Sequence, residues 1–334
     1  MRQQSISVYF VRAVLKYAVS RGLDPAALLR ANRISTRLLE QDDARISIER
    51  FADLQVHTML AMEDEGLGYG PQRLPIGSWS MLCYAVIHCD TVGKALARYC
   101  RFFGLFHHEA APSLRVEHDV AGVRIDASGA SAERFDVYGS ELALFNCHRF
   151  MSWLAGELLP AIAFNFTHAA PEHASEYRPM FAGNPVNFEQ DYTEMLLNSA
   201  LLDRPVVQNE QSLARFLRHP VLSLLKSRYQ ASSWTSQVRQ RLRHNLESMP
   251  ELETVAGELD IHPQTQRRRL STEGTSFTEL KSQVRRDVAL YYLGKQGITI
   301  EEIAHRAGFS ESSAFIRAFK GWTGVTPYTY RKGL

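Results

Sequence analysis

The chain has 334 residues, 45% hydrophobic and 22% charged, with 4 cysteines, which describes a globular protein with room for one large domain or two modest ones. That composition excludes a collagen repeat, a disulfide-stapled mini-domain and a wholly disordered tail. The 38 basic against 36 acidic side chains leave a formal charge of +2, which by itself names no charged partner.

Cys83, Cys89, Cys100 and Cys147 form no CxxC pair, so they read as free thiols of a reducing compartment. No charged n-region followed by an apolar h-region opens the chain, and every apolar run is broken well before about 18 residues. The expectation is a cytoplasmic protein with no membrane partner.

From Ser5 to Arg30 the apolar residues Val8, Val11, Val14, Leu15 and Ala18 keep helical spacing, break at Gly22 and restart after Asp24-Pro25. This opening fits either a helix-turn-helix-like pair or ordinary N-terminal helices. Residues 46–62 and Thr91 to Phe106 read as further helices, the second capped by Thr91. Leu114, Val116, Val120, Val123 and Ile125 alternate around Gly122 as a hairpin. Helix returns from Phe135 to Leu159 and stops before Pro160, after which Ile162, Phe164 and Phe166 alternate as a strand. An α+β N-terminal part is therefore expected.

From Pro220 onward no strand run stands out, and short helices follow one another between Pro250, His262-Pro263, Gly297, Gly308 and Pro327. Cutting at residue 220 leaves 21 basic against 25 acidic residues before it, net −4, and 17 against 11 after it, net +6. The near-neutral total is a cancellation of two unlike halves.

Two patterns in the basic part resemble each other. Val255-Ala256, Leu259 and Ile261 precede a turn and a helix from Pro263 to Leu270, and Ile303-Ala304, Ala307 and Phe309 precede a turn and a helix from Glu311 to Trp322. The offset is 48 residues at the start and 49 once Arg268 is matched to Arg317, so the second turn holds one extra residue. Ala256 and Ala304 allow two helices to approach closely, Gly308 suits a positive φ, and Ser310 is the expected cap of the last helix.

Such a pair offers its second helix to a DNA major groove. Gln264, Thr265, Arg267 and Arg268 in the first unit, and Ser312, Ser313, Ile316, Arg317 and Lys320 in the second, form the candidate reading surfaces. Leu270, Phe315 and Phe319 point inward. Arg and Gln carry the paired hydrogen-bonding edges suited to guanine and adenine, Ile316 suits a thymine methyl, and Lys320 suits a phosphate. The segment Phe277 to Leu293, apolar at Leu280, Val284 and Val288, is the long helix that joins the units.

This pattern resembles the AraC/XylS family of bacterial transcription regulators, most specifically in ITIEEIAHRAGFSESSAFIRAFKGWTGVTPYTYRK from Ile298 to Lys332 and more weakly in VAGELDIHPQTQRRRLSTEGTSF from Val255 to Phe277. Gln266 stands where the family usually buries an apolar residue, and His262 where Ser is commoner. Gln266 is expected to lower the stability of the first unit or redirect it.

GLGYGPQRLPIGSWSMLCYAV from Gly66 to Val86, TVGKALARYCRFFGLF from Thr91 to Phe106, and the stretch from Phe164 to Pro205 are similar to the arabinose-binding-like sensing domain of a subgroup that includes ornithine-utilisation and virulence regulators. The resemblance implies a ligand-sensing, dimerising domain at residues 1–215, a linker at 216–233, and an all-α DNA-binding domain at 234–334 with two helix-turn-helix units on a long helix. It also implies a nucleoid-associated homodimer that works with promoter DNA and RNA polymerase as activator, repressor or both. No cofactor is expected, only a small metabolite effector.

Trp79, Tyr84, Phe102, Phe103, His107, Phe145, Arg149 and Trp153 are the candidate ligand-binding residues, combining aromatic walls with a few polar groups. Arg149 suits an anionic ligand, or a neighbouring carboxylate such as Glu141 or Glu157. His107-His108-Glu109 and His168 with Glu172-His173 lack the HExxH spacing that puts two metal ligands on one helical face. No GxGxxG, GxxxxGK[ST] or GxSxG motif anchors an enzyme reading. An enzyme whose basic domain docks to a protein is the competing class, and it requires turnover without DNA sequence selectivity.

Overall fold

The computed structural model describes residues 5–70, 72–106, 111–126, 136–226, 234–244, 246, 249–272, 275–295 and 297–332. The chain packs into two compact units. One consists of Ala13–Pro25 and Gln55–Tyr229, the other of Met1–Arg12, Ala26–Leu54 and Gln230–Leu334.

The chain begins with β1 (Ser5–Ser7), α1 (Val8–Ser20), α2 (Pro25–Ala31), β2 (Arg45–Ser47) and α3 (Ile48–Met62). Gly22, at φ 77°, takes the sharp turn after α1, and Pro25 supplies the ready-made φ of a first helical turn. Residues 46 and 47, the start of what the spacing reads as a helix, are instead extended in β2, which pairs antiparallel with β1, Ser5 opposite Ser47. Three residues carry too short a period to be told from a helical first turn.

In the mixed unit α4 (Ser78–Val86) and α5 (Val92–Gly104) precede β3 (Pro112–Glu117), β4 (Val120–Ile125), α6 (Val137–Ala155), β5 (Ala161–Asn165), β6 (Val186–Asn187) and β7 (Thr193–Asn198). Thr91 caps α5 by accepting from Lys94 N, as its place before the amphipathic run predicts. The sheet order is β3-β4-β7-β5-β6, antiparallel except for β5 beside β6. Val123, Phe164 and Met195 from the sheet meet Leu96, Tyr99, Leu144 and Phe150 from the helices in one core. The α6 helix ends earlier than Pro160 alone predicts, because Gly156 takes a left-handed C-terminal conformation at φ 72°. Phe135, the expected start, lies outside the described residues.

Two more helices close this unit, α7 (Glu210–Leu217) and α8 (Pro220–Lys226). Phe216 packs on Trp153 with ring centroids 4.4 Å apart, and Leu224 is buried in the same core. Residues 216–226, expected within a connecting stretch, are thus packed structure.

The remaining described chain is helical: α9 (Trp234–His244), α10 (Leu252–Glu258), α11 (Pro263–Thr272), α12 (Phe277–Leu293), α13 (Ile300–Arg306), α14 (Ser312–Thr323) and α15 (Pro327–Lys332). Val238, Leu242, Val255, Leu270, Leu280 and Val284 gather α9 to α12 around one apolar centre. In the same unit β2 packs against α12 and α14, and the Arg50 guanidinium of α3 lies 5.6 Å from the buried Tyr330 ring of α15. The chain thus has an N-terminal mixed part and an all-α C-terminal region with two helix-turn-helix units on a long helix.

Candidate nucleic-acid interface

Both helix-turn-helix units are built by the same backbone turn. Ile261 N donates to Ala256 O, and Phe309 N donates to Ala304 O, each at 3.0 Å. The residue before each takes positive φ, Asp260 at 53° and Gly308 at 77°. Only the second demands glycine on two counts, since a Cβ on Gly308 would stand 2.4 Å from Met249 Cγ and 2.7 Å from Leu246 O. Ala256 and Ala304 are fully buried where the paired helices meet.

The extra residue of the second turn shifts the start of its last helix. Pro263 opens α11 at its first position, while α14 opens at Ser312 after Glu311, so Ser310 is not the cap that its side chain suggests. Leu270, Phe315 and Phe319 are buried. On the opposite faces Gln264, Arg267, Arg268, Ser313, Ile316, Arg317 and Lys320 are exposed, with Thr265 and Ser312 half-buried. Arg267 leans on Gln264 Oε1 at 3.4 Å and on Glu253 at 3.7 Å, contacts weak enough to yield to a ligand.

Many cations of the basic region are spent inside the fold. Arg243 pairs with the fully buried Asp287 at 3.1 Å, and Arg269 stacks 3.8 Å from the Trp234 ring. Arg285 of α12 donates to Gly308 O at 2.8 Å and covers Phe309 at 4.6 Å. Burial lowers the pKa of Arg285 from its ordinary value. Trp322 Nε1 donates to Ser282 Oγ at 3.0 Å, so α12 holds both the turn and the last helix of the second unit. These positioning roles escape a reading of residue types, because an arginine on a core face and one on a solvent face look alike in sequence.

Of the ligand candidates, Phe145 lies in the apolar core of the mixed unit, and Trp79, Phe102, Phe103 and Trp153 pack against that core. Phe145 and Arg149 meet on α6, with the guanidinium 5.4 Å from the ring and donating to Met180 O at 2.7 Å. Glu141 instead bonds His173, and Glu157 pairs with Arg204 at 3.3 Å. Trp79 and Trp153 both pack on Phe150, and Trp79 keeps its indole Nε1 buried without a partner. Tyr84 is 51% exposed. Phe102 and Phe103 touch edge to face, and Phe102 helps line a mostly apolar cleft of about 570 Å³ with Ile76, Met81 and Phe106. His107, with His108 and Glu109, lies outside the described residues. His168 packs at a tilt against Phe166, ring centroids 5.1 Å apart, and no group of three His, Cys, Asp or Glu suited to a metal occurs among the described residues.

Two family models match the chain: the arabinose-binding domain of AraC transcription regulator, N-terminal, over residues 22–206, and a helix-turn-helix domain over residues 255–333. The chain belongs to the AraC family. Its activity is therefore DNA-binding transcription regulation and not enzymatic turnover. Among AraC-type relatives, an ornithine utilization regulator of Pseudomonas aeruginosa is 28% identical, the match covering 98% of this chain and 96% of that one. The regulator VirS of Mycobacterium tuberculosis is 27% identical over 93% of this chain and 91% of its own. The solved C-terminal domain of AraT, a response regulator from Geobacillus stearothermophilus, is 32% identical over 31% of this chain and 88% of that one, with a TM-score of 0.30. No helix among the described residues of this AraC-family chain is long and apolar enough to cross a membrane.

Proposed function

We propose that this regulator reads promoter DNA by laying α11 and α14 into successive major grooves, about 34 Å apart along one face of the duplex. The observation that carries the reading is the pair of outward polar helix faces held on α12. Gln264, Thr265, Arg267 and Arg268 meet one half-site; Ser312, Ser313, Ile316, Arg317 and Lys320 meet the other. The domain at 234–334 does the reading, and the N-terminal mixed part, which closes with the packed α7 and α8, senses a small metabolite and forms the homodimer. Differential binding of the effector to one arrangement of the regulator then raises or lowers transcription initiation by RNA polymerase in the cytoplasm, at the nucleoid. The full-length similarity to an ornithine utilization regulator and to VirS supports placement in their subgroup.

Genome-wide DNA occupancy tests the reading and yields the operator and the neighbouring genes. On that operator Arg268→Ala and Arg317→Ala are each expected to cost about 1–3 kcal/mol of specific binding and much less of nonspecific binding. Equal losses on both DNAs assign the two arginines to phosphates, and occupancy without a sequence preference overturns the proposal.

A further inference from the structure

We infer that the edge of β3 that no other described strand pairs is the pairing surface for a second copy of this chain, strand to strand about a two-fold axis through Val116. The inference rests on the dimer proposed above and names its interface. β3 is the outermost strand of the five-stranded sheet, paired among the described residues only with β4. Glu117 stands directly opposite Val120, so the hairpin loop is His118 and Asp119 alone. A two-residue loop is closed by a hydrogen-bonded pair, and the antiparallel alternation runs back from there. Ser113, Arg115 and Glu117 thus turn their backbone groups toward β4. Leu114 and Val116 turn theirs outward.

Arg115 and Glu117 guard that edge against indiscriminate pairing, but they do not close it to a strand of complementary charge. The β3–β4 register holds no bulge, the one proline stands at its first residue, and Val116 is 54% exposed on the face it shares with Ala121 and Val123. Among the described residues Leu114 and Val116 leave outward donors and acceptors unused, and the exposed Val116 sits between Arg115 and Glu117, so this end of the strand is a template for another.

Charge then selects the register. Two copies of β3 joined through their outward groups must set even-numbered residues against even-numbered ones. Centring the pair on Arg115 opposes Arg115 to itself, centring it on Glu117 opposes Glu117 to itself, and centring it on Leu114 sets Ser113 against Arg115. Centring it on Val116 sets Val116 against Val116 and places Arg115 against Glu117 of the second copy twice. Those are the non-hydrogen-bonded positions, where facing side chains come closest. Arg115 and Glu117 are both exposed, and the only competing ion pair that engages Arg115 among the described residues is a loose one with Asp126 at 3.8 Å.

Charge exchange on the full chain, read by sedimentation velocity, tests this. Wild type is expected to sediment as a dimer. Glu117→Arg and Arg115→Glu should each weaken it by about tenfold or more, because each turns two attractive cross-strand pairs into repulsive ones. The double variant carrying both changes re-forms the pairs in the opposite sense and should return close to wild type. Circular dichroism on all three checks that these exposed changes leave the fold intact. A dimer indifferent to the single changes, or weakened by them but not restored by the double, overturns the β3 interface while leaving the dimer. A wild-type monomer at every concentration, with and without target DNA, overturns the dimer itself.

Discussion

Gln266 lies on the buried face of α11, one turn before Leu270, fully enclosed and with neither Oε1 nor Nε2 hydrogen-bonded. A buried amide without partners forfeits the hydrogen bonds that water gave it in the unfolded chain. Gln266→Leu is expected to stabilise the DNA-reading unit by about 1–3 kcal/mol, measured as a raised denaturant midpoint, with DNA affinity kept because the outward face is untouched. A lowered midpoint would show that the amide is satisfied. The conflict at Gln266 is legible beforehand from the resemblance, since the family usually buries an apolar residue there. Arg149 is the opposite case. Its type suits a ligand anion as well as a carboxylate, and only the fold shows its guanidinium donating to Met180 O.

At the scale of elements, α12 couples the two reading units through its sides more than through its length. Its apolar positions Leu280, Val284 and Val288 are plain in the sequence, whereas Ser282 and Arg285, which grip Trp322 and Gly308, read as ordinary solvent-facing residues. Arg285→Ala removes a charged hydrogen bond and the cover of Phe309, an expected loss of about 1.5–3 kcal/mol in unfolding free energy. It should also weaken binding to DNA carrying both half-sites more than to DNA carrying only the half-site of the first unit. An equal effect on the two would mean that α12 does not set the spacing. The twin turns were predictable from the 48-residue offset, and the start of α14 was not. Ser310 has the better capping chemistry, but the added turn residue carries it one position too far upstream.

Across the whole molecule, sequence order and spatial grouping part company. Residues 26–54 lie within the stretch matched by the arabinose-binding domain yet pack into the unit that contains α9 to α15, with Arg50 beside the Tyr330 ring and burial lowering its pKa. Arg50→Ala is expected to cost about 0.5–2 kcal/mol of stability in that unit, read by thermal unfolding of the full chain. An unchanged unfolding curve would show that the N-terminal segment and the DNA-reading helices are energetically independent. The charge division, −4 before residue 220 and +6 after it, survives as a property of the chain but overstates the cations available to DNA. Arg243, Arg269 and Arg285 are held by Asp287, Trp234 and Gly308.

By itself the sequence determined the two helix-turn-helix units, the long helix between them and the β3–β4 hairpin, because each rests on periodicity, turn chemistry or spacing within a few tens of residues, and its motifs carried the resemblance to the family. Only the tertiary structure decided which arginines face the core, where α14 begins, that residues 216–226 are packed, and that an N-terminal segment joins the C-terminal helices. Those outcomes depend on contacts between residues far apart in the chain, and local pattern carries no record of them.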